Sequence, residues 1–185
     1  MPISVTELPG PEERPVRIRP ARIEDAEAIL AFLAEVGAET GFLSFGAEGS
    51  GLTPDAEREY LQRTGQSDNG IALIAEWEGR IVGLLTFNGS DRKHTRHAGE
   101  LGISIARFCW GRGIGRTLIQ LLLRWAESGS AVRKINLRVR ADNVRAIALY
   151  ESLGFVTEGR LARDNLVDGV FHDSLVMGRL VDPLS

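Results

Sequence analysis

The chain lacks most of what would mark a secreted, membrane-spanning or nucleic-acid-binding protein. Cysteine is the first shortage. Cys109 stands alone in 185 residues, so no intrachain disulfide can form, and a reducing compartment suits the chain. Positive charge is the second: 22 Lys and Arg against 25 Asp and Glu leave a formal net charge of -3, no electrostatic footprint for nucleic acid. Apolar runs are short, none near the roughly 20 residues that a membrane helix needs. The opening stretch MPISVTELPGPEERP has no basic region followed by an apolar one, so no signal peptide is expected. Repeats and low-complexity segments are missing too. What is present is ordinary: 43% hydrophobic residues and enough length for one sizeable core. The expectation is a cytoplasmic protein with neither membrane nor nucleic-acid partner.

Periodicity divides the chain into a tail and one domain. Residues 1–14, with Pro2, Pro9, Gly10 and Pro11, read as a flexible tail, and residues 15–182 as a single domain. Val16 to Arg22 alternates like an edge strand. Ala26, Ile29, Leu30, Leu33 and Val36 recur at helical spacing, with Glu24 and Asp25 suited to the first turn and Gly37 as the stop. The glycine-rich segment 41–52 precedes a second helix, which Thr53 caps and Pro54 starts. IALIAEW and IVGLLTFNG, separated by Glu78, Gly79 and Arg80, read as a hairpin. In HAGELGISIA, Leu101, Ile103 and Ile105 share one face, and Glu100, Gly102 and Ser104 form a small polar one. A helix with Leu118, Leu121, Leu122 and Trp125, the strand KINLRVR, a short helix closed by Gly154, and two strands around Val167, Asp168 and Gly169 complete the order. It reads β-α-α-β-β-β-α-β-α-β-β, an α+β domain on a mixed sheet.

Chemistry concentrates between the third strand of the hairpin region and the helix after it. Gly111, Gly113 and Gly115 occupy alternate positions, separated by Arg112 and Ile114 and followed by Arg116. A strand, a glycine turn and a helix start together form an anion site, because the first helical amides are unpaired and the dipole is positive there. Arginine adds charge-assisted contacts to phosphate. Neither common glycine motif fits: Arg116 stands outside the dinucleotide fingerprint, and no Gly-Lys-Ser/Thr follows for a P-loop. The pattern predicts a diphosphate held in another way, with a tight strand-to-helix turn as the structural alternative.

Two motifs now carry a resemblance. WGRGIGRTLI is similar to the Arg/Gln-x-x-Gly-x-Gly/Ala pyrophosphate loop of the GNAT family of N-acetyltransferases, with Trp110 at its head in place of Arg or Gln. NVRAIALYESLGF matches that family's Asn-x-x-Ala-x-x-x-Tyr-x-x-x-Gly-Phe segment through Asn143, Ala146, Tyr150, Gly154 and Phe155. The resemblance extends from Val16 to about Val176. It implies a mixed, mostly antiparallel central sheet flanked by helices, and acetyl-CoA as acetyl donor. Backbone groups of Ile103, Ser104 and Ile105 would meet the pantetheine arm. Gly111, Arg112, Gly113, Ile114, Gly115 and Arg116 would hold the diphosphate. Asn143 would reach the cofactor, and Tyr150 would stand beside the sulfur. Asn143 also suits a helix N-cap, and Tyr150 also suits a buried stripe with Ile147.

Such an enzyme would move the acetyl group of acetyl-CoA to a primary amine of a small molecule by direct attack. An alkylamine near pKa 10.4 is neutral in only about one molecule in two thousand at pH 7, so a base is valuable. Some ribosomal-protein acetyltransferases of the family carry a glutamate in the Leu-Glu-Val-Arg strand. Here Arg138 stands there, which moves the expectation away from protein N-termini. Glu100 is the candidate base, its alternative being a salt-bridged strand carboxylate. His94 and His97 are loop histidines, and His172 is a candidate acceptor-site residue; without an acidic cluster, no metal is expected. Cys109 reads as a buried small residue rather than an acetyl relay. Trp77 and Trp125 read as core. Open alternatives are a protein N-terminal or lysine acetyltransferase, and a non-catalytic acyl-CoA-binding module. A homodimer is allowed, and the acceptor pocket is expected from segment 41–52, the following helix and the C-terminal hairpin.

Overall fold

A computed structural model describes residues 5–129 and 131–182. Two short strands, β1 (Thr6–Pro9) and β2 (Pro15–Pro20), precede α1 (Ala26–Glu39) and α2 (Pro54–Gln66). A meander of β3 (Gly70–Trp77), β4 (Arg80–Gly89) and β5 (Ala98–Ile105) follows, then α3 (Ile114–Glu127). The chain ends with β6 (Lys134–Arg140), α4 (Val144–Ser152), β7 (Val156–Val167) and β8 (Val170–Leu180). All eight strands join one sheet in the order β1-β2-β3-β4-β5-β6-β8-β7. Every pairing is antiparallel except β5 with β6. This is the α+β architecture expected from the sequence.

Two local expectations are corrected. The segment expected as a tail holds β1, whose Thr6 to Pro9 pair in register with Ile18 to Pro15; its first four residues lie outside the described ones. Gly37 does not stop α1, which continues to Glu39. It is glycine because the backbone carbonyl of Gly46, in the following loop, occupies the space a Cβ would need. Elsewhere the local chemistry acts as read. Thr53 Oγ1 accepts from the Ala56 amide at 3.2 Å. Glu78 and Gly79 turn the β3–β4 hairpin with φ of 49° and 76°, and Asp168 and Gly169 turn β7–β8 with 50° and 77°. Two consecutive left-handed residues match the twist of a two-residue hairpin.

Consecutive buried residues on β3, Ala72 to Ala75, require cover on both faces of the sheet. α1 and α2 pack together and against β3 and β4, while α3 packs on β3, β4 and β5. The α3 stripe of Ile114, Leu118, Leu121 and Leu122 is buried. Trp125 packs edge-on against Phe87 at 6.1 Å, and Trp77 packs against the same core. At the β2–α1 corner, Arg19 donates to both Asp25 oxygens at 2.7 and 2.8 Å and to Glu76 at 3.1 Å. The Asp25 carboxylate also receives the Arg22 amide at 2.7 Å.

The functional opening comes from one short pairing. β5 and β6 share only the register Ala98–Lys134 to Glu100–Asn136. Beyond Glu100, β5 stays on β4 and β6 stays on β8, so the β5 edge facing β6 has no strand partner.

Candidate active site

That opening leads into a cavity of about 1120 Å³ bounded by α1, α2, β4, β5, the glycine loop, β6 and α4. Ile103, Ser104 and Ile105 line it from the unpaired stretch of β5. Gly111, Gly113, Ile114, Gly115 and Arg116 line it at the start of α3. Gly111 and Gly113 have φ of 82° and 79°, a region costing an L-residue roughly 1–2 kcal/mol. Nothing lies within 4 Å of a Cβ built on Gly113, so the amides at the α3 N-terminus face open space. Gly115 is already helical, and its Cβ would meet Leu149 at 3.6 Å. The loop is thus a fitting cradle for a diphosphate: unpaired amides, a positive helix end and no side-chain obstruction.

Trp110 anchors the loop. Its indole Nε1 donates to the Ile105 carbonyl at 2.8 Å, and the guanidinium carbons of Arg145 and Arg107 stand 5.2 and 5.9 Å from its ring centre. Arg116 donates to Ser152 Oγ at 2.8 Å. Arg112 corrects the expectation. It donates to the Gly10 carbonyl at 3.3 Å and does not line the cavity, because the edge formed by the first strands draws it away. Arg145 stands at the loop in its place, near Gly111, a residue that motif reading passed over.

On α4, Asn143 lines the cavity, and its Oδ1 caps the helix by accepting from the Ala146 amide at 3.2 Å. Tyr150 also lines the cavity and is only 7% exposed. Its ring meets Phe155 edge-on at 5.9 Å. Burial pushes its hydroxyl pKa up to about 12, so it holds its proton at any physiological pH.

Glu100 is on the cavity wall with Gly102. Its side chain is 60% exposed and lies 3.8 Å from Arg138. His172 is not a lining residue. It backs Arg140 instead, with Nδ1 3.0 Å from Nη2, while Arg140 also bonds Asp142 at 2.6 Å and the Gly41 carbonyl at 2.5 Å. The Arg140 guanidinium carbon lies 4.9 Å from the Phe42 ring centre. Arg140 therefore fastens the loop that begins at Gly41 to the end of β6. Cys109 is buried with its pKa raised by burial, a poor thiolate source. Among the described residues no group of three His, Cys, Asp or Glu is disposed to hold a metal ion.

The helix after segment 41–52 lines the cavity as expected, through residues that the sequence reading had not named. Glu57 and Tyr60 of α2 line the cavity together with Thr86 and Asn88 of β4. Glu57 is 5% exposed, and burial alone pushes its carboxyl pKa up. The Tyr60 hydroxyl is buried and makes no hydrogen bond to a described residue. Its pKa is raised by burial and by the Glu57 charge, against the pull of nearby Thr64, Asn88 and Thr86. The signal was available: Glu57, Tyr60, Leu61 and Thr64 recur at i, i+3, i+4 and i+7, placing a carboxylate on the inward stripe.

Comparison with known proteins agrees with this geometry. Residues 41–155 match the Acetyltransferase (GNAT) family. The chain belongs to that family and is an acyltransferase. A solved acetyltransferase of the GNAT family from Streptococcus pneumoniae is 35% identical with a TM-score of 0.86, covering 90% of this chain and 99% of that one. The L-amino acid N-acetyltransferase AaaT of Escherichia coli is 30% identical over 108 residues, 58% of this chain and 67% of its own. The fold also matches a phosphinothricin acetyltransferase from Sinorhizobium meliloti in complex with AcCoA, at 22% identity and a TM-score of 0.73, over 90% of this chain and 89% of that one. No helix among the described residues is long and apolar enough to cross a membrane.

Proposed function

We propose that the protein transfers the acetyl group of acetyl-CoA to the primary amine of a small molecule, both substrates being bound together in the cavity. The observation carrying this reading is the left-handed Gly111–Gly113 turn at the α3 N-terminus, opening beside the unpaired edge of β5. The backbone of Ile103, Ser104 and Ile105 would extend the sheet onto the pantetheine arm. The amides from Gly111 to Gly115, with Arg116 and Arg145, would neutralise the diphosphate, and Asn143 would contact the arm from α4. Bound acetyl-CoA supplies an activated thioester carbonyl. Holding it beside the amine can supply roughly 7–11 kcal/mol of the barrier.

Tyr150 acts on the leaving sulfur. A phenol at about pKa 12 is a weak acid, so its first contribution is a donated hydrogen bond that strengthens as the sulfur gains charge in a dry site. Glu100, at the cavity wall, is a route by which a proton leaves for solvent. A small acceptor accords with the AaaT relative's amino acid substrates. The domain so used spans residues 15–182, with β1 as an added edge, and the protein works in the cytoplasm.

The test joins a binding and a turnover measurement. Acetyl-CoA and CoA should raise the melting temperature, by about 2.7 kcal/mol of stabilisation at a hundred times Kd, and pantetheine should do far less. A panel of amino acids, polyamines and amine antibiotics should then yield acceptor-dependent CoA release. Stabilisation without release from any amine would leave only a binding module.

A further inference from the structure

The carboxylate best isolated from water in this molecule is not Glu100. Glu57 is 5% exposed, on the inward face of α2, and lines the cavity. No described cation pairs with it, although other carboxylates of the fold are paired. On α1, which packs against α2, Glu27 meets Arg58 and Glu35 meets Arg80 at 3.4 Å. On β3 the one titratable residue, Glu76, is held by Arg19, as is Asp25 at the start of α1. From β4 the uncharged Leu84, Thr86 and Asn88 face the cavity. Within the cavity the remaining titratable groups include Glu100 on β5 and Arg138 on β6, which face each other at 3.8 Å. Arg140 is engaged by Asp142 at 2.6 Å, and Tyr150 stands on α4.

An unpaired buried carboxylate is costly, and leucine would pack this stripe better. Beside it lies the Tyr60 hydroxyl, buried and without a well-formed hydrogen bond to a described residue, with Thr64, Thr86 and Asn88 close by. Two such groups on adjacent helical turns, opening on one cavity, describe a receptor for a cationic hydrogen-bond donor. Register places that receptor relative to the β5 edge. Tyr60 neighbours Thr86 and Asn88, which stand opposite Gly102 and Glu100 on β5, where β5 loses β6. The receptor therefore stands beside β4, the strand paired with β5 where the other edge of β5 opens.

We propose that Glu57 binds the acceptor's reacting ammonium group, with Tyr60 Oη as a second acceptor, and takes the proton that frees the amine for attack. The assignment rests on the amine acetyltransfer reading above. It specifies the acceptor class as an alkylamine that arrives protonated. The ammonium gives one proton to the Glu57 carboxylate and becomes a neutral amine. As the new C–N bond forms and the C–S bond breaks, the nitrogen loses a second proton. That proton and the one on Glu57 pass to solvent, and Tyr150, having given its own proton to the departing sulfur, regains one from solvent. The sum is ammonium plus thioester giving amide, thiol and one released proton. Burial keeps Glu57 a stronger base than an exposed glutamate, which suits this exchange.

The experiment compares wild type with Glu57→Gln and Glu57→Asp, using an amine that wild type acetylates. Acetyl-CoA affinity, unliganded melting temperature, kcat and KM are measured from pH 5.5 to 9. Glu57→Gln should bind acetyl-CoA as wild type does and melt no lower. Its kcat should fall about 10²-fold or more, and its log kcat/KM should climb with unit slope toward the amine's own pKa. Glu57→Asp should regain part of the wild-type limb. Three results overturn the proposal: a wild-type pH profile and kcat in Glu57→Gln, a raised KM with kcat intact (a distal anchor), or a lowered melting temperature (a packing role). Failure of the wild type itself to acetylate any amine overturns the underlying reading instead.

Discussion

Trp110 donates its indole N–H to the carbonyl oxygen of Ile105 at 2.8 Å, joining the glycine loop to the last residue of β5. The residue that departs from the family's loop pattern thus replaces a flexible polar side chain with a rigid strut. Trp110→Phe keeps the ring for Arg145 and Arg107 but removes the donor. The net worth of one such bond is about 0.5–1.5 kcal/mol. Acetyl-CoA Kd should rise about two- to tenfold by calorimetry, with kcat little changed.

The glycines at 113 and 115 should respond oppositely to alanine. Gly113 has φ of 79°, so Gly113→Ala carries roughly 1–2 kcal/mol of backbone strain and puts a methyl group toward the diphosphate. Gly115 is helical, and its Cβ would make ordinary contact with Leu149 at 3.6 Å. Gly115→Ala should gain up to about 1 kcal/mol of helix propensity. Thermal melts with and without acetyl-CoA check both. Gly113→Ala should lose stability and most of the ligand-induced shift, while Gly115→Ala should keep both.

Tyr150→Phe removes only a hydroxyl whose ring still packs on Phe155. Acetyl-CoA affinity should hold while kcat falls, on the order of 10²-fold for a lost acid. Because burial places the wild-type hydroxyl at about pKa 12, Tyr150 ionisation should contribute no falling limb to the wild-type rate profile below pH 10. A falling limb near pH 8 that vanishes in Tyr150→Phe would contradict this environment.

Arg140→Met should free the loop from Gly41 onward. The guanidinium holds the Gly41 carbonyl, Asp142 and the Phe42 ring at once. Acceptor KM should rise several-fold while acetyl-CoA Kd stays put, and the melting temperature should drop by a few degrees at pH 7. The hydrogen bond from Arg140 lowers the Asp142 pKa below 3.8. A depressed folded pKa contributes stability above the unfolded value and loses it as pH falls through the folded one. The gap between wild type and variant should therefore narrow as melts are taken from pH 7 toward pH 3.

Local chemistry was legible wherever it depends on neighbours in sequence. The Thr53 cap, the Glu78–Gly79 and Asp168–Gly169 turns, and the strand–glycine–helix passage at 105–116 follow from residue type and spacing, because φ restriction and amide satisfaction are settled within a few residues. The paired Gly-x-Gly and Asn-to-Phe motifs fixed the family for the same reason. Tertiary structure alone decided which surfaces meet. The parallel β5–β6 register ends after three pairs, and that opening depends on what β4 and β8 claim from either side. Arg112 and Arg145 carry the same charge near the glycine loop, and tertiary contacts alone draw Arg112 to the Gly10 carbonyl while Arg145 stands near Gly111. Helical spacing puts Glu57 on the inward stripe of α2, but spacing alone does not tell how deeply it is buried. The burial that raises the Glu57 pKa comes from packing α2 against α1 and β3, a contact between segments distant in sequence.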